Sequence, residues 1–255
     1  NTARYLAASV RSIQDQSYPH WELWAVDDAS TDDSLAILQE LQSMEPRMHI
    51  LRNPQNGGIG AAVNHALDHV RGTYIAIMDS DDLVHSDRLE IAVAYMEENP
   101  HLLMTGSEQM IVFQDGEKVD PLVRTRRMPS SWHAGIHRRK RTMLLLNCPY
   151  KHPTVLIRWD LWRDLRYGEA RYAEDYEMWS RAVFAGEVGD IDLPLGFYRM
   201  HPGQNSRLAM NKFEIMKEQI WKPYLHAAGL FPGIEELDLH GVLSLTNRPL
   251  EAGEG

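Results

Sequence analysis

The sequence predicts an α/β fold in which a mostly parallel, mixed sheet is covered by helices on both faces. Two observations lead to this prediction. Apolar runs of strand length alternate with amphipathic runs of helix length over the first 100 residues, and these apolar runs stop at acidic or turn-forming residues. Parallel strands covered on both faces are typically short and apolar throughout. A chain of 255 residues with 44% hydrophobic residues can bury such a core.

The first hundred residues contain three predicted pairs of a helix and a strand. Leu6, Val10 and Ile13 recur at helical spacing, and the helix they predict ends before Tyr18-Pro19. The other predicted elements are a strand at 22–26, a helix capped by Ser30 or Thr31, a strand at 49–51, a helix at about 59–70 and a strand at 74–78.

After residue 100 the regular alternation stops. A longer strand is predicted over Leu102 to Phe113, followed by a hairpin-type turn at Asp115-Gly116. The later predicted elements are a strand at 155–157, a helix at about 172–185, short strands near Val188 and Phe197, a helix at about 208–222 and an irregular tail.

Charge and cysteine content exclude several kinds of partner and site. The 26 Lys and Arg against 36 Asp and Glu leave a formal net charge of −10, which argues against nucleic acid as the main partner. Cys148 is the only cysteine, so an internal disulfide and a multi-cysteine zinc site are excluded. No apolar run reaches the roughly 20 residues that span a bilayer, and no signal peptide is recognisable. We therefore expect a cytoplasmic protein.

Acidic residues directly follow two of the predicted strands. Asp27-Asp28 ends one strand, and the Asp-Ser-Asp-Asp segment 79–82 ends another. Ligands of open α/β sheets bind beyond the carboxyl ends of the strands, so these five carboxylates are expected in one crevice. A hard cation with a phosphorylated ligand would relieve their repulsion. The alternative is that each cluster forms a turn or a helix N-cap, which Asp also favours.

A series of motifs follows in order along the chain. They are Trp21-Glu22-Leu23, Val26-Asp27-Asp28, Asn56-Gly57-Gly58, Asp79-Ser80-Asp81-Asp82, Ala173-Glu174-Asp175-Tyr176 and Tyr198-Arg199-Met200-His201. In this order they closely resemble the motifs of glycosyltransferase family 2, whose members are inverting enzymes of the Rossmann-like GT-A fold. The resemblance implies a single GT-A catalytic domain at 1–206, with a nucleotide-binding half at 1–100 and an acceptor half at 101–206. A helix and an irregular tail would follow at 207–255.

The resemblance implies roles on the nucleotide side of the site. The implied nucleotide-binding residues are Asp28, Asp79, Asn56 and Gly57, and the implied ligands of Mn²⁺ or Mg²⁺ are Asp81, His201 and Asp79. A carboxylate at position 28 can accept a hydrogen bond from N3–H of uracil or thymine. Asn56 and Gly57 either let the backbone approach the nucleotide or simply form a turn. The alternative for His201 is an ordinary surface histidine.

Asp175 matches the catalytic base of the family. The resemblance implies that its carboxylate takes the proton of the acceptor hydroxyl while that oxygen attacks the anomeric carbon, which inverts the configuration. The donor is expected to be a nucleotide-diphosphate sugar, with a UDP-sugar favoured, and the acceptor a glycan or lipid-linked saccharide of cell-envelope polysaccharide biosynthesis. The alternative is that Asp175 only stabilises the N-terminus of a helix through the dipole.

A basic segment interrupts this acidic chain. Residues 124–141 contain seven Lys or Arg and no acidic residue. This segment could close over the diphosphate or contact an anionic membrane surface peripherally. The alternative is a solvated charged loop.

The sequence departs from the family pattern in two respects. Family members begin with a central β-strand followed by a turn, and this sequence begins at Asn1, where that turn would end, so the first strand is expected to be absent from it. The Gly-Gly that usually precedes the catalytic Glu-Asp is replaced around residues 166–169.

Two other functions are alternatives to a glycosyltransferase. One is a catalytically silent sugar-nucleotide-binding module. The other is a phosphoacceptor receiver domain, which would need a Lys that does not occur between residue 82 and Lys118.

Overall fold

The structure is a computed structural model that describes residues 1–113, 148, 150–163, 166–168 and 174–201. The helices of this part are α1 (Ala3–Gln14), α2 (Ser34–Met44), α3 (Ile59–Leu67), α4 (Arg88–Glu98) and α5 (Glu174–Ala185). The strands are β1 (Leu23–Asp27), β2 (Met48–Arg52), β3 (Tyr74–Ala76), β4 (Leu83–Val84), β5 (Leu102–Phe113), β6 (Leu156–Arg158) and β7 (Glu187–Met200). Short 3-10 helices at His152–Thr154 and Trp159–Leu161 flank β6.

The strands form two sheets. β1 and β2 pair in parallel, and a second sheet has the order β3-β6-β5-β7-β4. Within it β5 and β7 run parallel over nearly their whole lengths, while β3 with β6, β5 with β6, and β4 with β7 pair antiparallel. Most of the paired length is therefore parallel, and the predicted α/β class with a mixed sheet is confirmed.

A cavity of about 2090 Å³ separates the two sheets. In the described residues β1 pairs only with β2 and β3 pairs only with β6, so one edge of each faces this cavity. Apolar residues of both strands and of α1 and α3 line its inner part, and acidic strand ends line another part.

The hydrophobic core is built around α5. Trp179 is fully buried and Met178 nearly so, as expected from their helical spacing. They pack with residues of β3, β5 and β6, while a separate cluster joins α1, α2, β1 and β2. No helix within the described ranges is both long and apolar enough to cross a membrane.

Two details of the predicted secondary structure are wrong. The two short strands near Val188 and Phe197 are one strand, β7, which bulges at residues 192–193 and pairs Pro194 with Glu108. Ser30 and Thr31 do not cap α2, because the helix starts later, at Ser34, with Asp33 at the N-cap position. The N–H of Ser34 donates a hydrogen bond to the Asp32 carboxylate at 3.1 Å. Neither β4 nor α4 was predicted.

Several predictions fall outside the described residues. These are the turn at Asp115-Gly116, the basic segment 124–141, the helix at about 208–222 and the tail.

Candidate active site

The carboxylate of Asp28 organises the loop that follows β2. Its Oδ1 accepts hydrogen bonds from Nδ2 of Asn53 at 2.7 Å and from the backbone N–H of Gly57 at 3.0 Å. Its Oδ2 accepts from the N–H of Gly58 at 2.8 Å, and Asn56 donates to the Asp28 carbonyl at 3.2 Å. Asp28 therefore ties the end of β1 to the start of α3.

The two glycines of this loop meet different steric demands. A Cβ on Gly57 would lie 2.8 Å from the Cβ of Ala61, and Gly58 has a φ of 85°, which side chains rarely adopt. Both positions also bring backbone N–H groups within reach of Asp28. A role in the turn is therefore enough to account for Asn56 and Gly57. Both residues also line the cavity, so their contact with a nucleotide stays a prediction.

Residues 79–82 lie between β3 and β4, and their carboxylates have different partners. Oδ1 of Asp79 is 2.9 Å from Nδ1 of His152, and Oδ2 of Asp81 is 3.0 Å from Nε2 of His201. Asp82 is buried and accepts a hydrogen bond from the backbone N–H of Arg199 at 2.9 Å. Desolvation, together with the charges of Asp79 and Asp81, raises the pKa of Asp82 to about 8, although the hydrogen bond from the Arg199 N–H opposes this.

The first helix supports this acidic segment from one side. Ser9 donates a hydrogen bond to the Asp79 carbonyl at 3.3 Å, and the hydroxyl of Thr2 reaches that of Ser80 at 3.0 Å. The ring of Tyr5 lies 4.4 Å from that of His201, centroid to centroid. The α1 helix therefore contacts both the backbone of the segment and the histidine that pairs with it.

His152 is a site residue that the sequence analysis missed. Its Nδ1 contacts Asp79, and its Nε2 lies 2.9 Å from the hydroxyl of Tyr167. Desolvation opposes the charged imidazole, but the charge and hydrogen bond of Asp79 outweigh it, so the pKa of His152 is raised. The only sequence signal was a histidine just before a buried strand, which is more often an ordinary core residue.

Asp175 lies in the first turn of α5, as predicted. Its Oδ1 accepts a hydrogen bond from the N–H of Tyr176 at 2.8 Å, and the Cys148 sulfur is 3.9 Å from its Oδ2.

All the predicted site residues line one cavity, although they come from separate segments of the chain. They are Asp28, Asn56, Gly57, Asp79, Asp81, Asp175 and His201. Of the five clustered carboxylates, Asp82 is not on the cavity wall.

The predicted metal ligands are brought together only in part. Asp81 and His201 form a close pair, whereas Asp79 is engaged by His152. Within the described ranges, no three His, Cys, Asp or Glu side chains group closely enough to hold a metal ion by themselves. The carboxylate of Asp81 still fits Mg²⁺ or Mn²⁺, because such ions are commonly bound by one or two carboxylates together with substrate phosphates, and the imidazole of His201 lies beside it.

Solved structures share this fold. S. aureus TarS 1-349 in complex with UDP-GlcNAc has a TM-score of 0.62 at 20% identity, over 80% of this chain and 57% of that chain. Mannosyltransferase PcManGT from Pyrobaculum calidifontis, in complex with GDP-Man and Mn²⁺, has a TM-score of 0.61 at 18% identity, over 91% and 62%. The fold is therefore that of the GT-A glycosyltransferases.

The family follows from the sequence comparisons. The family model described as glycosyl transferase family 2 matches residues 1–158, more than half of the chain. The Bacillus subtilis glycosyltransferase EpsE is 33% identical over 194 residues, and TuaG of the same organism, a teichuronic acid biosynthesis glycosyltransferase, is 38% identical over 124. The chain belongs to glycosyltransferase family 2, so its predicted family is confirmed and the receiver-domain alternative is set aside.

The two sequence matches cover only part of this chain and part of each relative. EpsE is matched over 74% of this chain and 66% of its own length, and TuaG over 48% of each. The chain thus spans between about half and two thirds of these relatives.

Proposed function

We propose that this chain catalyses inverting transfer of a sugar from a nucleotide-diphosphate donor, with UDP-sugar favoured, to a hydroxyl of a glycan or lipid-linked saccharide. One observation carries the proposal. Asp28, the acidic segment 79–82 and Asp175 are far apart in the sequence but line one cavity. A donor-binding side and a base that can face the acceptor are therefore available in the same space.

The donor side comprises Asp28, Asp79, Asp81 and His201. Asp28 would face the nucleobase of the donor, and Asp79 would face its ribose or diphosphate. Asp81 and His201 would hold Mn²⁺ or Mg²⁺, which when bound stabilises negative charge on the departing diphosphate. TarS was solved with UDP-GlcNAc and PcManGT with GDP-Man and Mn²⁺, which supports a nucleotide sugar as donor but leaves the base to be tested.

Asp175 would act as the base on the acceptor side. Its carboxylate takes the proton of the acceptor hydroxyl as that oxygen forms a bond to the anomeric carbon. The bond from the anomeric carbon to the diphosphate oxygen breaks in the same step, and its electron pair leaves with the nucleoside diphosphate. A single displacement inverts the configuration. The hydrogen bond from the Tyr176 N–H to Oδ1 restricts how the carboxylate can turn.

The proposed acceptor rests on the names of two relatives. TuaG is named for teichuronic acid biosynthesis, and an Escherichia coli relative that is 26% identical over 222 residues is named chondroitin synthase. Both names refer to polysaccharides, which supports a glycan or lipid-linked saccharide here. Cytoplasmic location and contact of residues 124–141 with anionic lipid remain predictions, and co-sedimentation with acidic and neutral vesicles would test the lipid contact.

Binding and turnover of nucleotide sugars test the proposed function. We expect a UDP-sugar with Mn²⁺ to raise the melting temperature of the full-length protein more than GDP- or dTDP-sugars do. Nucleoside diphosphate release, with the anomeric configuration of the product determined by NMR, then separates an active inverting enzyme from a silent binding module. Binding without release would favour the silent module, and failure of every nucleotide sugar to bind would refute the proposal.

A further inference from the structure

His152 connects the two halves of the domain at the donor site. It begins the short 3-10 helix before β6, and its ring lies between Asp79, which follows β3, and Tyr167. The His152 side chain is 9% exposed and that of Asp79 is 28% exposed. The contact between them is therefore largely shielded from water, while Asp79 still reaches the cavity.

The direction of the hydrogen bonds follows from the chemistry of the partners. An ionised carboxylate can only accept hydrogen bonds, so Nδ1 of His152 carries the proton and its N–H donates a hydrogen bond to Asp79. Nε2 then accepts from the Tyr167 hydroxyl when the ring is neutral and donates to the same oxygen when it is charged. Desolvation raises the pKa of Tyr167 well above its usual value, so the phenol keeps its proton.

The surroundings of His152 hold its ring in place. Tyr167 meets the ring edge to face at 5.8 Å, and fully buried Trp179 lies 6.1 Å away, centroid to centroid. Tyr167 is itself fixed to α3, because its N–H donates to Asn64 at 2.8 Å and its carbonyl accepts from Asn64 at 2.9 Å. A ring with so little freedom imposes one orientation on the carboxylate to which it is bonded.

We propose that His152 is a positioning residue of the donor site, which fixes the carboxylate of Asp79 in the orientation that receives the nucleotide-diphosphate sugar. This inference rests on the proposed function of Asp79. His152 acts through Asp79 and takes no part in the bond changes. Removing a hydrogen-bond partner behind a metal ligand commonly costs about 10–100-fold in metal affinity or activity, and we expect a loss of the same order here.

Three substitutions of His152 separate positioning from packing. The amide nitrogen of Asn can take the place of Nδ1, whereas that of Gln corresponds more nearly to Nε2. We expect His152→Ala to raise the donor KM about 10–100-fold and to leave the acceptor KM unchanged. His152→Asn should recover most of this loss and His152→Gln much less. Equal losses in all three variants, or no loss in any, would overturn the proposal.

A double-mutant cycle shows whether the effect passes through Asp79. Asp79→Ala, His152→Ala and the double variant are compared in donor affinity and in urea unfolding, with His101→Ala on the exposed surface as the control. We expect the double variant to bind donor no more weakly than Asp79→Ala alone. Additive losses would show that His152 acts independently and would refute the positioning role.

The same experiments distinguish failure of this inference from failure of the proposed function. If the unsubstituted protein binds no nucleotide sugar, the proposed function fails, while coupling in the unfolding cycle still reports on the contact between His152 and Asp79. If the unsubstituted protein binds and transfers normally but the His152 variants match it, only the positioning role is wrong.

Discussion

Nε2 of His201 lies 3.0 Å from Oδ2 of Asp81, although the two residues are 120 positions apart. The contact depends on the antiparallel pairing of β4 with β7, in which Leu83 is opposite Phe197. Arg199 strengthens the junction, because its Nε donates to the Asp81 carbonyl at 2.8 Å. The pairing of a two-residue strand thus brings this carboxylate and this imidazole together.

Removing either member of this pair should weaken the binding of the metal ion. We expect Asp81→Asn and His201→Ala each to raise the Mn²⁺ concentration for half-maximal transfer by about tenfold or more, as is common when groups around a metal are lost. Titration of Mn²⁺ at saturating donor measures this. His101→Ala serves as the control because His101 is exposed and pairs only with Glu187 among the described contacts. Unchanged Mn²⁺ curves for both site variants would contradict the assignment.

Asp175→Asn should stop the chemical step and spare donor binding. The amide cannot accept the acceptor proton, so kcat should fall by about 10²–10⁴-fold, the usual contribution of a general base. The donor Kd, measured by calorimetry, should stay within about twofold. Asp160→Asn makes the same chemical change on the exposed surface and should behave like the unsubstituted protein. Full turnover in Asp175→Asn would remove Asp175 from the mechanism.

Asp28→Asn should loosen the loop between β2 and α3. An amide has only one acceptor oxygen, so the N–H groups of Gly57 and Gly58 and the side chain of Asn53 cannot all keep their partner. We expect unfolding to become easier by about 1–3 kcal/mol, together with weaker donor binding. Asn53→Ala removes the bond to Asp28 and the contact of Asn53 Oδ1 with Nδ1 of His65, each of 2.7 Å, but leaves the N–H groups of Gly57 and Gly58 with their acceptor. It should therefore weaken donor binding less than Asp28→Asn does. Urea unfolding measures both, and equal stability of Asp28→Asn and the unsubstituted protein would contradict this account.

The ion pair between Glu45 and Arg47 predicts a dependence of stability on pH. Hydrogen bonding to Arg47 lowers the pKa of Glu45 from 4.5 to about 2. Because the folded pKa is lowered, the pair stabilises the fold above the unfolded pKa, and this stabilisation is lost as pH falls towards 2. Arg47 is 38% exposed, so we expect Glu45→Gln to cost only about 0.2–1 kcal/mol at neutral pH.

Urea unfolding at several pH values checks this expectation. The difference between Glu45→Gln and the unsubstituted protein should shrink as pH is lowered through the range between 4.5 and 2. Glu40→Gln, on the exposed face of α2, is the matched control and should show no such trend. A difference that stays constant with pH would show that the loss at Glu45 is not electrostatic.

Local pattern was enough to predict most elements. The predicted strand over Leu102 to Phe113 matches β5. A run of this length and composition suits this position, because β5 pairs with β6 on one side and with β7 on the other. The two short strands predicted near Val188 and Phe197 proved to be one, since the bulge beside Pro194 breaks the alternation without ending the strand. The two-residue β4 carries no pattern of its own and exists only because β7 lies next to it.

The sequence by itself determined the α/β class, the family and the acidic residues at the strand ends, because these depend on local composition and on the order of motifs. Only the tertiary structure decided the partners of each carboxylate. Asp28 meets a glycine loop, Asp79 meets His152, and Asp81 meets His201. Such contacts join positions 29 to 120 residues apart, and they are set by strand register and helix packing, which no short stretch of sequence encodes.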